Sequence, residues 1–166
     1  SESARLVRLE ASALHLITDI GRDFAPACFA TSLGLEDMVI TDLISRAEAP
    51  IEIFTLETGR LPEETQRLIQ DVRHHYAIAI RAYAPERSDI ETYILANGPN
   101  AFYDSIELRK ECCRIRKVVP LGRALTGKRA WITGLRREQS VTRADLAVRE
   151  WDGDHKLEKF NPLIEW

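Results

Sequence analysis

The sequence predicts an α/β fold: an open, mostly parallel sheet with helices on both faces. Two observations predict it. Short apolar runs of strand length alternate along the 166 residues with longer stretches whose apolar residues recur at helical spacing. Gly, Pro, Asn and Ser punctuate the boundaries between them. No internal repeat, low-complexity tract or clear linker interrupts this alternation, so residues 1–166 read as a single domain.

The elements follow in order. Leu6, Leu9, Leu14, Leu16 and Ile17 mark an amphipathic helix over 3–20, ending near Gly21. After Pro26, Ala27 to Ala30 suit a buried strand, and Thr31-Ser32-Leu33-Gly34 a turn. Leu35 to Ala47 is the next helix, with Glu36 and Asp37 in its first turn, where the helix dipole favours acids. Ile51 to Leu56 is a second strand and Glu57 to Leu61 a loop. Pro62 suits the first position of a helix running to about Tyr76. Ile78 to Tyr83 is a third strand. Ser88 can cap a helix from Asp89 to Ala96, stopped by Asn97-Gly98-Pro99. Ser105 to about Arg123 is mainly helical, with Pro120 as a break. Ala130 to Gly134 is a fourth strand, and two β-like stretches surround Val148 and Leu157.

Composition narrows the class. With 45% hydrophobic and 30% charged residues, the chain is ordinary for a globular protein. The runs Ile51–Leu56 and Val118–Leu121 are far too short to span a bilayer, which argues against a membrane protein. The Ser1-Glu2-Ser3 start has no apolar signal-peptide run, so the expected location is cytoplasmic. Three cysteines, two of them adjacent, make a poor disulfide framework and point to metal or redox chemistry. The net charge is -3, yet residues 104–143 hold eleven Lys/Arg against four Asp/Glu. That pattern suits a local anion site, or a solvated basic face, better than general affinity for nucleic acid.

In sheets of this class ligands sit beyond the carboxyl ends of the strands. The loops there are 31–34, 57–61, 84–88 and 134–140. Thr31, Ser32 and Gly34 offer hydroxyls and helix-start N–H groups that could cradle a phosphate or sulfate; an ordinary capped turn reads the same way. Glu57 at a strand end could hold ribose hydroxyls, or belong to helix-start chemistry with Pro62, Glu63 and Glu64. Cys112 and Cys113 lie among Arg114, Arg116 and Lys117, where nearby cations favour thiolates, and thiolates bind iron–sulfur clusters. Two small buried residues would look the same, and three cysteines cannot make a four-cysteine site. Gly134 would let a base or phosphate approach the backbone. Arg136, Arg137 and Arg143 form a dense group suited to oxyanions, unless they pair with Glu138 and Asp145. The four histidines show no metal-ligand spacing.

Together these segments resemble one family. Thr-Ser-Leu-Gly-Leu-Glu-Asp from Thr31, Leu-Glu-Thr-Gly-Arg-Leu-Pro-Glu-Glu-Thr from Leu56, Cys-Cys-Arg-Ile-Arg-Lys-Val-Val-Pro-Leu from Cys112, Trp-Ile-Thr-Gly-Leu-Arg-Arg-Glu-Gln-Ser from Trp131, and the ending Lys-Phe-Asn-Pro-Leu-Ile-Glu-Trp resemble the APS/PAPS reductases. The likeness covers nearly the whole chain from about Pro26. The first two motifs recur in ATP-pyrophosphatase-type domains; the cysteine and arginine motifs are more specific. The resemblance implies the adenine-nucleotide alpha-hydrolase-like fold. The Cys112–Cys113 pair is similar to members that bind a 4Fe-4S cluster and prefer adenylyl sulfate (APS). It thus implies reduction of APS to sulfite and AMP with electrons from thioredoxin or glutaredoxin, and self-association.

The resemblance also implies roles. Thr31, Ser32 and Gly34 would hold the phosphosulfate or ribose end. Leu56, Glu57 and Thr58 would line the nucleoside, and Gly134 would approach the adenine. Lys117, Arg136, Arg137 and Arg143 would supply positive charge, Lys117 also near the cluster. Cys112 and Cys113 would be two of four cluster ligands. Two departures stand out. Glu57 replaces the aspartate usual in the Leu-Asp-Thr-Gly-Arg segment. The family's Cys-x-x-Cys pair and its nucleophilic cysteine, in a Glu-Cys-Gly-Leu-His-like ending, do not occur in the 166 residues. The domain is therefore expected to be C-terminally incomplete, and alone neither to assemble a cluster nor to turn over. The alternatives are a PAPS reductase, an adenylating ATP-pyrophosphatase-like domain, and a non-catalytic adenine-nucleotide module. The adenylating reading would need a Ser-Gly-Gly-x-Asp-Ser-type loop, which Thr31 to Gly34 does not match.

Overall fold

Helix α1 spans Glu2–Asp23 and begins at Ser1, whose hydroxyl accepts the Ala4 N–H at 3.2 Å. A computed structural model describes residues 1–59, 61–139 and 146–166. Arg60, Ser140 and Arg143, which the sequence motifs include, lie outside the described residues.

Strand β1 (Ala27–Ala30), helix α2 (Leu35–Ala47) and strand β2 (Ile51–Leu56) fall where the sequence places them. Helix α3 is Glu63–Tyr76, with Pro62 just outside it. Strand β3 is Ile80–Tyr83, shorter than expected. The reason is Ala77, which ends α3 in the left-handed conformation at φ 56, so the chain turns before it can extend. Helix α4 is Arg87–Asn97. It starts two residues early: Glu86 flanks it and its carbonyl accepts Asp89 and Ile90 N–H, so Ser88 lies inside the first turn and is not the cap.

Pro120 does not break the next helix. Helix α5 (Ile106–Cys113) passes through a π-helical turn, Arg114–Val118, into helix α6 (Val119–Leu125). Proline has no N–H to give the carbonyl four residues back. The chain widens instead, and Val119 N–H reaches Arg114 O, five residues back. Pro120 then sits in the first turn of α6, where a missing donor costs little. Strand β4 is Ala130–Ile132, releasing Thr133 and Gly134 from the strand; β5 (Arg149–Asp152) and β6 (Leu157–Phe160) complete the sheet.

The strand order is β3-β2-β1-β4-β6-β5, parallel throughout except for the β5–β6 pair. Alternation along the strands sends side chains to two cores. Phe29, Ile53 and Ile132 pack with Ile17 and Ile20 of α1, Ile40 and Leu43 of α2 and Val72 of α3. Cys28 and Phe54 meet Ala124 and Leu125 of α6 on the other face. Helices therefore cover both faces, as the alternation predicts. The chain winds outward from β1 through β2 to β3, then returns to place β4 on β1's other side. The crevice above the β1/β4 boundary is the topological switch point, where such sheets bind ligands. No helix among the described residues is long and apolar enough to cross a membrane.

Candidate functional site

A cleft of about 600 Å³ opens at that switch point. Its walls come from the ends of β1, β2 and β4: Thr31 and Ser32, then Leu56 and Thr58, then Thr133 and Gly134. Lys117 of the π turn, Thr65 of α3, and Glu36 and Asp37 of α2 close it. Three of the four strand-end loops contribute. Loop 84–88 does not, because β3 is an edge strand two places from the switch.

The β1–α2 turn is pinned from inside. Thr31 is buried; its N–H bonds Phe54 O at 2.8 Å, and its Oγ1 accepts Leu33 N–H at 2.9 Å. Leu33 adopts φ 63, so the following N–H groups turn toward the helix start. Gly34 is the residue before α2 and has no side-chain cap. Ser32 donates both its N–H (2.5 Å) and its Oγ–H (2.7 Å) to Oδ2 of Asp37. Asp37 is itself only 6% exposed. Its other oxygen fills the space beside Gly134: a Cβ built there would lie 1.8 Å from Asp37 Oδ1. Glycine at 134 is thus a steric requirement of the cleft floor.

The cations divide. Lys117 lines the cleft and has no carboxylate partner among the described residues. Arg136 is tied at the rim, its Nη2 donating to Glu36 Oε1 at 3.0 Å while Gln139 holds the same oxygen at 3.3 Å. Its Nε is buried without a partner. Arg137 pairs with Glu165 and, like Arg136, is not part of the cleft wall. Glu57 gives its N–H to Tyr83 O at 2.9 Å and also stays out of the wall, between Leu56 and Thr58 which are in it.

Several cleft residues escape the sequence reading. Glu36 and Asp37 read as first-turn acids; nothing in the helical period says that the preceding loop folds back on one of them. Arg116 reads only as part of a basic run, yet its Nη1 donates to Thr58 O at 2.7 Å and fastens the π turn to the β2 loop. Thr65, Thr133 and Gln139 fall inside the family-like motif segments, but nothing in the sequence assigns them a role.

The cysteines stand apart from this wall. Cys28 is fully buried, donates weakly to Ala130 O at 3.8 Å, and burial pushes its thiol up to about 12. It is a core residue. Cys112 is half-buried against Tyr93 and Ile115, and Cys113 is exposed; both are free thiols. Arg114 is engaged by Glu111 at 2.7 and 2.9 Å. No group of three or more His, Cys, Asp or Glu that could hold a metal occurs among the described residues. Two adjacent thiols suit a cluster, but these residues alone do not complete its ligand set.

The chain matches a family model described as the phosphoadenosine phosphosulfate reductase domain over residues 26–166. It is 54% identical over 157 residues to an adenosine 5'-phosphosulfate reductase of Allochromatium vinosum, covering 95% of this chain and 61% of that protein. A Burkholderia cepacia protein of the same name is 46% identical, with 99% and 64% covered. The chain thus spans less than two thirds of these relatives' lengths. Among solved structures, phosphoadenylyl-sulfate reductase from Candida auris in its phosphate complex superposes with a TM-score of 0.74 at 25% identity, covering 93% of this chain and 73% of that one. Yeast FAD synthetase in complex with FAD reaches 0.51 at 12% identity, covering 95% and 54%, a likeness of fold alone.

Proposed function

Because the chain belongs to the phosphoadenosine phosphosulfate reductase family, we propose that its cleft binds adenylyl sulfate, for reduction to sulfite and AMP by the protein of which these residues form the nucleotide-binding part. The observation that carries this reading is the cleft at the β1/β4 switch point with Lys117, a cation without a carboxylate partner among the described residues, on its wall. Similarity to proteins named adenosine 5'-phosphosulfate reductase supports adenylyl sulfate over its 3'-phosphorylated analogue.

The nucleoside end would lie between Leu56 and Thr58 on one side and the Gly134 backbone on the other. The Thr31–Gly34 turn would hold the phosphosulfate or ribose end. Lys117 would face the phosphosulfate. Sulfur departs from a phosphate in this reaction, so a fixed cation stabilises the anion that leaves and lowers the barrier. Arg136 would join Lys117 if the ligand draws it from Glu36; Arg137 and Arg143 would add charge at the rim. Glu57 would reach the ribose past the longer of the two carboxylate stems.

A 4Fe-4S cluster, when bound, would supply a redox or electrostatic centre next to the substrate, with Cys112 and Cys113 as two ligands. Thioredoxin or glutaredoxin would supply the two electrons. The nucleophile is none of the three cysteines present: Cys28 is buried and held protonated, and the other two are assigned to the cluster.

Calorimetric titration of the 166-residue chain tests the reading. Adenylyl sulfate should bind, and magnesium ATP should be neither bound as tightly nor hydrolysed. No binding of adenylyl sulfate, or ATP hydrolysis, would overturn it.

A further inference from the structure

We propose that Asp37 is a positioning residue: one buried carboxylate fixes the β1–α2 turn against the Gly134 backbone and so sets the phosphate end of the cleft. The inference deepens the nucleotide-site reading above and rests on it.

Ser32 and Asp37, five apart in sequence, form the unit with the distant Gly134. Asp37 Oδ2 accepts both donors of Ser32, the N–H and the Oγ–H. Asp37 Oδ1 occupies the volume that any side chain at Gly134 would need. The carboxylate is 6% exposed, and its backbone is further anchored because Asp37 O accepts Thr41 Oγ1 at 3.0 Å. Ser32 belongs to the loop after β1, and Gly134 to the loop after β4. Asp37 therefore joins the two loops that meet at the switch point.

The electrostatics make the assignment specific. A carboxylate in the wall of an anion site repels the ligand, so by charge alone its neutralisation should tighten binding. A carboxylate that orients donors has the opposite effect: without it the turn relaxes, and the N–H groups that would meet a phosphate lose their aim. Both Ser32 donors are consumed by Asp37, and Gly34 N–H reaches Ser32 Oγ only at 3.4 Å, so the turn offers a phosphate the Thr31 hydroxyl, the Leu35 N–H and this weakly held Gly34 N–H. Holding those in place is the role assigned to Asp37.

The test compares AMP with adenosine, which differ only at the phosphate. Asp37→Asn should weaken AMP binding about tenfold, the scale of one charge-assisted hydrogen bond, and leave adenosine within about twofold. A general loss of packing would weaken both alike. Ser32→Ala, a milder change at an exposed loop residue, should lower the same AMP-to-adenosine ratio, and the double variant should be no worse than Asp37→Asn alone. If Asp37→Asn folds poorly, the ratio for Ser32→Ala decides. Unchanged or tighter AMP binding in the variants would overturn the proposal and leave the nucleotide site standing. Failure of the unsubstituted chain to bind AMP would overturn both.

Discussion

The cleft and the cysteine helix lie on the same chain but are built to different standards. The cleft rests on three central strands, and its turns are tied by hydrogen bonds: Thr31 to Phe54, Ser32 to Asp37, Glu57 to Tyr83. The cysteine segment is a helix with a π turn, packed on a small cluster around Tyr93 and Ile115, with Cys113 exposed. One region is preformed by the sheet. The other presents two thiols without further ligands among the described residues. Nucleotide binding should therefore survive in this chain independently of the cysteines, because strand ends supply most of the binding wall and the π turn adds Lys117 without its thiols.

Substitutions can break or sharpen that contrast. The largest effect should come from Gly134→Ala. The added methyl collides with Asp37 Oδ1, which Ser32 holds in place, so relief costs buried hydrogen bonds. A loss of about 1–3 kcal/mol in denaturant unfolding is expected, with AMP binding abolished; wild-type affinity and stability would show the floor to be soft.

Lys117→Ala should come next. Its side chain lines the cleft with no carboxylate partner among the described residues, so adenylyl sulfate binding should weaken roughly tenfold while stability changes by less than about 0.5 kcal/mol. An equal loss for uncharged adenosine would mean the lysine supports the wall and not the anion.

A smaller effect is tied to pH. Burial raises the Cys28 thiol from its ordinary 9.0 to about 12, because the core disfavours the thiolate. The unfolded chain ionises first as pH rises, so this contribution is intact below pH 9 and is lost between 9 and about 12. Cys28→Ala should flatten the stability curve over that window, and a thiol reagent at pH 8 should modify Cys112 and Cys113 but not Cys28 in the folded protein. The smallest effect belongs to Cys112→Ser with Cys113→Ser. AMP affinity should stay within about twofold, a change of under about 0.5 kcal/mol, as for surface substitutions away from a site; a larger loss would show that the helix shapes the cleft.

The same contrast governs what the sequence made readable. Strands β1 and β2 and helix α2 are bounded by Pro26, Gly34 and Pro50, whose backbone preferences are local, so their limits can be read directly. The cleft's position follows from strand order, and its Thr31, Thr58 and Gly134 lie at strand ends as the rule requires. Pro120 misleads because a missing N–H can be absorbed by a π turn as well as by a break, and the choice depends on packing beneath α6. Asp37 is invisible for a related reason. Its helix position explains an acid well enough, and only the folded loop reveals that the acid holds Ser32. Arg136 and Arg137 lie outside the cleft wall, tied to Glu36 and Glu165 from distant segments, which spacing does not disclose.

The proposed function turns on adenylyl sulfate occupying the switch-point cleft. Amide chemical-shift mapping of the isotopically labelled 166-residue chain, titrated with adenylyl sulfate, tests it most directly. Saturable shifts should concentrate at Ser32–Leu35, Glu57–Thr58 and Thr133–Gly134, with Lys117 among them and α1 silent. Shifts confined to α1, to the β5–β6 hairpin or to the cysteine helix, or no saturable shifts at all, would contradict it.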